Sequence, residues 1–221
     1  MTPGLRTIDL RADPEADLSS VVDFVRGGGV IAYPTETVYG LGSVCSTEGI
    51  QRVQQLKSRS SDKPLIVLVD SADSVKSLRW TAAARALAEI FWPGPVTLVL
   101  GDPDRIFPSG VRSEETGSVG VRVSSHPVTT RLVAELGAPL TSTSLNAPGE
   151  PPVSSGYGAG DLLQRLGGVD VFVLDAGTLP PSGPSTVVDC TRNEPVILRE
   201  GTVPMGRLRC VIPEIHGQPS E

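Results

Sequence analysis

Residues 33–42 read Tyr-Pro-Thr-Glu-Thr-Val-Tyr-Gly-Leu-Gly and directly follow a short apolar run at 30–33 that predicts a buried strand. The hydroxyls of Thr35 and Thr37 therefore come at the end of a strand, where α/β folds place their ligands. The glycines that follow would allow a backbone to approach a ligand closely. The segment is neither a Walker A loop nor a dinucleotide-binding fingerprint, so these residues alone leave ligand binding and a simple turn equally open.

Helix and strand patterns alternate on both sides of this segment. Asp13-Pro14 has the form of a helix start, Gly27 ends that helix, and the continuous apolar run at 65–69 is typical of a strand covered on both faces. Helices are predicted at 13–26, 47–57, 73–78, 81–91, 128–136 and 161–166, and strands at 30–33, 65–69, 96–100, 119–123, 140–144, 171–174, 186–189 and 196–199. This order predicts an α/β fold with a mixed sheet.

Two regions have less regular patterns. Residues 146–160 are rich in Pro, Gly and Ser and are predicted to form a loop, while 205–212 could form a helix or a strand. We expect a single domain over 1–215, with 216–221 as a disordered tail.

Composition excludes several classes of mechanism. The 221 residues include only two histidines and three cysteines, none at metal-ligand spacing, so a zinc site or a disulfide framework is not expected. The 24 glycines and 20 prolines favour short elements and shaped loops over a bundle of long helices. A net charge of −6 argues against general nucleic-acid binding but leaves a local basic cleft open. With no secretory signal and no membrane span in the sequence, we expect a cytoplasmic protein.

Two segments carry cations in a suggestive setting. Lys57, Arg59 and Lys63 lie within seven residues and could bind phosphates, although spacing alone favours a helix C-terminus whose dipole they complement. Arg122 lies on the otherwise apolar strand Ser-Val-Gly-Val-Arg that begins at Ser118. A buried arginine needs a partner, which is a carboxylate either of the protein or of a ligand.

Small polar residues mark two further strand ends. The block Thr-Ser-Thr-Ser-Leu-Asn at 141–146 offers groups that hydrogen-bond a ribose, a base edge or a phosphate, and that also form ordinary turns. Ser185 and Arg199 each lie beside an apolar strand, where a structural role is the commoner one.

Seven strings occur in one order along residues 20–205: YPTETVYGLG, KSR followed by PLIVLV, WPGPVTLVL, SVGVR, TSTSLN, PSTVVD and ILREG. With them the chain resembles the YrdC family, the L-threonylcarbamoyladenylate synthases, in its short single-domain form. The resemblance implies an α/β, YrdC-like fold: a twisted mixed parallel/antiparallel sheet with flanking helices and a concave cleft. It also implies that L-threonine and bicarbonate or CO2 form a carbamate, which attacks the α-phosphate of ATP and releases pyrophosphate.

The resemblance assigns roles residue by residue. It implies L-threonine contacts for Thr35, Arg122 and Ser185, and a catalytic role on the ATP phosphates for Lys57 and Arg59. Further ATP contacts are implied for Lys63, Ser118, Ser142, Ser144, Asn146 and Arg199. Mg2+ is expected to accompany ATP, and no protein ligand is assigned to it. The expected partners are ATP, L-threonine and bicarbonate, then a threonylcarbamoyl-transfer complex that modifies tRNA, with direct tRNA contact as a further expectation and no membrane.

The chain departs from the family pattern at one strand. Lys63 and Leu68 stand where many family members have the Asn of Asn-Pro-Leu and a His near the threonine, and leucine cannot supply a polar contact. Two alternatives therefore stay open. One is a paralogue of the same fold with other carbamoyl-adenylate chemistry. The other is a non-catalytic module that binds tRNA or double-stranded RNA through a basic cleft built from Lys57, Arg59, Lys63, Arg112, Arg122 and Arg199.

Overall fold

The apolar runs of the sequence form one continuous sheet in the computed structural model, which describes residues 4–58, 63–167 and 170–217. Its strands are β1 (Leu5–Asp9), β2 (Val30–Pro34), β3 (Tyr39–Gly42), β4 (Ile66–Leu68), β5 (Val96–Gly101), β6 (Ser118–Arg122), β7 (Leu140–Ser144), β8 (Val171–Asp175), β9 (Thr186–Asp189), β10 (Val196–Arg199) and β11 (His216–Gly217). Their order across the sheet is β1-β8-β2-β3-β7-β4-β6-β5-β9-β10-β11. Parallel pairs such as β4–β6 and antiparallel pairs such as β2–β3 both occur, so the predicted mixed sheet is confirmed.

Helices cover both faces of this sheet. They are α1 (Ser19–Arg26), α2 (Thr47–Leu56), α3 (Ala82–Phe91), α4 (Pro127–Leu136), α5 (Gly156–Arg165) and α6 (Met205–Arg209), with a 3₁₀ turn at Asp73–Val75. Three of them begin at a hydroxyl cap. At α2 and α3, Ser46 Oγ accepts from Gly49 N and Thr81 Oγ1 accepts from Ala84 N, both at 3.1 Å. These caps fix the starts of α2 and α3 close to where the sequence predicts them.

The core is divided between the two faces because neighbouring strand residues point to opposite sides. Along β2, Val30 and Ala32 pack into the cluster that holds the apolar residues of α2, α3 and α5. Ile31 and Tyr33 pack into the second cluster, with those of α1 and α4. All five residues of β2 are buried, which is why its sequence is apolar without alternation.

Three predicted boundaries are wrong. The first helix begins at Ser19 rather than at Asp13, and Asp17 accepts hydrogen bonds from the backbone N and the hydroxyl of Ser19 at 2.8 Å each. The helix predicted from 161 begins at Gly156, capped by Ser155, so part of the predicted loop at 146–160 is helical. The helix predicted at 73–78 shortens to one 3₁₀ turn.

The prediction also omitted β1 and β3, and it placed His216 and Gly217 in a tail although they pair with β10. Residues 218–221 lie outside the described part of the chain, so the predicted boundary at 215 stays a prediction. None of the helices within the described ranges has the length and hydrophobicity needed to cross a bilayer.

Candidate functional site

A cleft of about 330 Å³ lies where the β2–β3 turn, β4, β6 and β7 meet the segments that begin β9 and end β10. It is lined by Thr35, Thr37, Val38, Gly40, Pro64, Ile66, Arg122, Ser142, Thr143, Ser144, Pro152, Pro184, Ser185 and Arg199. Hydroxyl groups and two guanidinium groups therefore dominate its polar surface. Six residues predicted for the site come together here although they span 35–199 in the sequence: Thr35, Arg122, Ser142, Ser144, Ser185 and Arg199.

Thr35 shapes the turn that forms one wall of the cleft. Its Oγ1 accepts hydrogen bonds from the backbone N of Thr37 and of Val38, both at 3.2 Å, and donates to Val38 O at 2.7 Å. A hydroxyl that bonds its own backbone in this way closes a tight turn between two strands. The segment is therefore a turn, as one of the two alternatives predicted, and this turn also lines the cleft.

Arg122 ends β6 and is almost fully buried, with 3% of its side chain exposed. Its Nη1 lies 3.1 Å from Oε1 of Glu36, whose side chain is 15% exposed. The partner of the buried arginine in this structure is therefore a carboxylate of the protein. Ser124 Oγ donates to the other carboxylate oxygen of Glu36. Nε of Arg122 is buried and has no hydrogen-bond partner among the described residues.

Lys57 connects the end of α2 to the polar block after β7. Its Nζ donates to Ser144 O at 2.9 Å, to Asn146 O at 2.7 Å and to Asn146 Oδ1 at 2.8 Å. Ser144 Oγ donates to the same Asn146 Oδ1 at 2.8 Å. An ammonium group has three protons to donate, and each of these three contacts is to an oxygen of the protein. In this structure Lys57 holds residues 144–146 in place.

Arg199 supplies the second guanidinium of the cleft. Its Nε and Nη2 donate to Ser185 O at 3.2 Å and 2.8 Å, and Ser185 Oγ lies 3.0 Å from Thr97 Oγ1. Burial lowers the pKa of Arg199 from its usual value, and the positive charge of Arg122 lowers it further. The two arginines are therefore close enough to repel each other, which makes this part of the cleft favourable for an anion.

Four of the described residues that were predicted for the site do not line the cleft: Lys57, Lys63, Ser118 and Asn146. Ser118 starts β6, roughly 13 Å along the strand from Arg122 at about 3.3 Å per residue, and its hydroxyl bonds Thr116 Oγ1 at 2.6 Å. Asn146 Oδ1 accepts a hydrogen bond from Lys57 Nζ at 2.8 Å. Lys63 lies just before Pro64 and does not itself line the cleft, and Arg59 lies outside the described residues.

The side chain of Leu68 lies in the apolar core. It is fully buried in the cluster with α4 residues such as Val133, and it does not line the cleft. Leucine at this position thus contributes packing, which agrees with its apolar character. The cleft residue of β4 is Ile66 instead.

The residues assigned to the site did not include Glu36 or Ile66, whereas Thr37 was indicated as a hydroxyl at the strand end. A signal for Glu36 was present, because a buried arginine demands a carboxylate and Glu36 lies inside the quoted segment. No sequence signal marked Ile66, since its contact with the cleft depends on the pairing of β4 with β6 and β7.

The residue types at the site do not form a metal centre on their own. Within the ranges 4–58, 63–167 and 170–217, no group of three or more His, Cys, Asp or Glu could hold a metal ion. Cys190 and Cys45 are poor nucleophiles, because burial raises the pKa of both thiols to about 12. The chemistry available in the cleft is therefore anion binding and positioning by arginines and hydroxyls.

The fold and the cleft together define an α/β protein with a mixed sheet, whose central strands contribute to a cleft lined by arginines and hydroxyl groups that is suited to an anion. The family profile described as "Telomere recombination", which covers Sua5, YciO and YrdC, matches residues 23–201. The chain belongs to the Sua5/YciO/YrdC family. The resemblance found in the sequence is thereby confirmed.

Individual relatives agree with this assignment. A threonylcarbamoyl-AMP synthase of Bacillus subtilis (strain 168) is 34% identical over 209 residues, which make up 92% of this chain and 58% of the relative. The crystal structure of P. abyssi Sua5 complexed with L-threonine matches with a TM-score of 0.87 and 31% identity over 97% of this chain and 62% of that chain. E. coli YciO matches with a TM-score of 0.77 and 26% identity over 94% of this chain and 100% of that chain. The chain thus spans less than two thirds of the length of the first two relatives. The TM-scores confirm the predicted fold class.

Proposed function

We propose that this chain forms threonylcarbamoyl-AMP and pyrophosphate from L-threonine, bicarbonate or CO2, and ATP, and so acts as a nucleotidyltransferase. The observation that carries the proposal is the cleft, where two arginines and several hydroxyls from distant segments converge. The B. subtilis relative bears the name threonylcarbamoyl-AMP synthase, and the P. abyssi Sua5 structure holds L-threonine, which supports the same reaction here.

Arg122 is the proposed partner of the threonine carboxylate. Its Nη2 makes no hydrogen bond with the described residues, whereas Nη1 is held by Glu36. An arginine fixed on one side and unpaired on the other suits a carboxylate ligand. Thr35 and Ser185 lie in the same cleft and provide polar walls for the rest of the amino acid.

The nucleotide is assigned to Arg199 and the block after β7. Ser142 and Ser144 line the cleft, and Lys57 holds Asn146 beside them, so their hydroxyls are presented on a fixed backbone. Arg59 and Lys63, in the segment after α2, and Ser118 remain candidates for ATP contacts through the resemblance. Mg2+ would be held by the phosphates and water, since Arg122, Arg199 and the hydroxyls of the cleft are not magnesium ligands of choice.

The proposed chemistry needs positioning more than a protein base. The carbamate of threonine is an anion, so its oxygen can attack the α-phosphorus of ATP while the bond to the departing pyrophosphate breaks. Cations then stabilise the charge on the transferring phosphoryl group. The absence of a nucleophilic cysteine or histidine from the described cleft lining agrees with this reaction.

The product is proposed to pass to a threonylcarbamoyl-transfer complex that modifies tRNA in the cytoplasm. A non-catalytic RNA-binding role is less well supported. Arg112, one of the cations assigned to a basic RNA-binding cleft, is 10% exposed and pairs with Asp102 and Glu114. Arg122 is likewise paired, with Glu36.

Pyrophosphate release tests the proposal. With ATP, Mg2+ and bicarbonate present, we expect pyrophosphate formation that depends on L-threonine and that the other amino acids of a panel support poorly. Arg122→Ala should lower kcat/KM for threonine by about 100-fold, the loss expected for a hydrogen-bonded charge pair. Arg165→Ala, which breaks an exposed ion pair with Asp161 on α5, is the matched control and should retain activity. Pyrophosphate no higher than in the threonine-free blank would refute the proposal.

A further inference from the structure

Glu36 differs from its neighbours in the β2–β3 turn. Thr35, Thr37 and Val38 line the cleft, whereas Glu36 does not. Its carboxylate is 15% exposed and contacts Arg122 and Ser124. Glu36 therefore contacts Arg122 but does not itself line the cleft.

The contacts of Glu36 fix it from two sides. One carboxylate oxygen accepts from Arg122 Nη1 at 3.1 Å, and the other accepts from Ser124 Oγ just after β6. The turn that carries Glu36 is itself closed by the Thr35 hydroxyl. A carboxylate held this firmly can set the orientation of the guanidinium it contacts.

Arg122 needs such support because two of its three guanidinium nitrogens have no hydrogen-bond partner among the described residues. Nε is buried and unpaired there, and Nη1 has one further contact, at 3.5 Å from Thr37 Oγ1. A buried arginine with one anchor keeps its position only while that anchor remains charged and in place. The orientation of Nη2 toward a ligand therefore depends on Glu36.

We infer that Glu36 is a positioning residue for the amino-acid substrate: it holds Arg122 so that the remaining guanidinium edge meets the substrate carboxylate. This inference rests on the proposed function, since it assumes that Arg122 binds the carboxylate of L-threonine. Glu36 itself does not touch the substrate. In metal sites, partners that orient a ligand side chain by hydrogen bonding alter affinity by about 10- to 100-fold, and the effect here is expected at the lower end of that range.

Steady-state kinetics of Glu36→Gln test this inference. Glutamine has the same length but no charge, so we expect KM for L-threonine to rise about tenfold while KM for ATP and kcat change less than about twofold. A purely structural role would instead lower the amount of folded enzyme and leave both KM values alone. Glu48→Gln is the matched control, because it breaks an exposed glutamate–arginine pair of 2.6 Å on α2, away from the cleft.

Two further measurements keep the outcome decisive. If Glu36→Gln does not fold, Ser124→Ala removes only one support of the carboxylate and should raise KM for threonine by a smaller factor. If the wild-type protein releases no pyrophosphate but binds L-threonine in calorimetry, the proposed function fails, and weaker binding by Glu36→Gln would still support the inference. If Glu36→Gln has an unchanged or lowered KM for threonine, or an unchanged Kd, the inference is wrong. It is also wrong if the wild-type protein binds no threonine.

Discussion

His126 is a half-buried histidine at the start of α4, and its environment disfavours the charged form. Nδ1 has no hydrogen-bond partner in the described residues, and burial lowers the pKa of His126 below 6.5, while the negative charge of Glu36 opposes that shift. The N-terminus of a helix also disfavours a cation. The folded state therefore binds this proton less readily than the unfolded chain does.

The consequence is a stability loss in acid. As the pH falls through 6.5, the unfolded chain takes up the proton first, so the free energy of unfolding decreases and then levels off below the pKa of His126 in the folded state. We expect the melting temperature to drop between pH 8 and pH 5.5 by a smaller amount in His126→Gln than in the wild-type protein. His216→Gln, which removes the other histidine, is the matched control. Equal drops in all three proteins would contradict this assignment.

At the level of single residues, the sequence indicated which chemical groups a side chain needs, but it did not indicate which residue supplies them. It indicated that Arg122 needs a carboxylate, but it could not choose between a ligand and Glu36, because that choice depends on how β6 lies relative to the β2–β3 turn. Lys57 illustrates the same limit. Its position at a helix end was predicted, whereas its bonds to Asn146 join residues 89 apart in the chain. Contacts at that separation follow from the topology of the sheet.

Among the secondary-structure elements, β3 depends on a close approach that only glycine permits. A Cβ at Gly42 would lie 1.8 Å from the carbonyl oxygen of Thr141 on β7, which is far below van der Waals contact. Backbone atoms cannot rotate away as a side chain can. We therefore expect Gly42→Ala to separate β3 from β7 and to lower the free energy of unfolding by about 3 kcal/mol or more.

Urea denaturation measures this effect. The control is Gly206→Ala on α6, where an added Cβ meets no atom within 4 Å. That substitution should be neutral or stabilise by about 0.5–1 kcal/mol, since alanine favours a helix over glycine. Equal midpoints for the two variants would show that β7 yields to the added methyl group and that the close approach is not required.

The elements predicted correctly are those whose signals are local. β9 and β10 contain apolar runs and have the bounds predicted, as does β7, and the caps Ser46 and Thr81 fixed the starts of α2 and α3. β3 was missed because its four residues include two glycines, which are weak strand formers. β1 was missed because only two of its five residues, Leu5 and Ile8, are apolar, and its pairing with β8 lies far away in the sequence.

The whole molecule joins distant segments at one cleft, and this has a consequence for ligand binding. The turn at 35–38 lies between β2 and β3, the block at 142–144 belongs to β7, and the segment at 184–185 leads into β9, all in one sheet. A ligand that contacts all three segments must stabilise them together. Under the proposed function, L-threonine with bicarbonate and an ATP analogue that resists cleavage between its α- and β-phosphates should act in this way.

Hydrogen exchange and thermal melting both measure this coupling. At ligand concentrations of about 100 times Kd, binding adds about 2.7 kcal/mol, which corresponds to a rise in melting temperature of roughly 5–10 °C for a chain of this size. Amide protection should increase in the three segments at once, and the far strand β1 should change little. Inorganic phosphate at the same ionic strength is the control for general anion binding. Protection confined to one of the three segments would mean that the cleft does not bind the substrates as a single site.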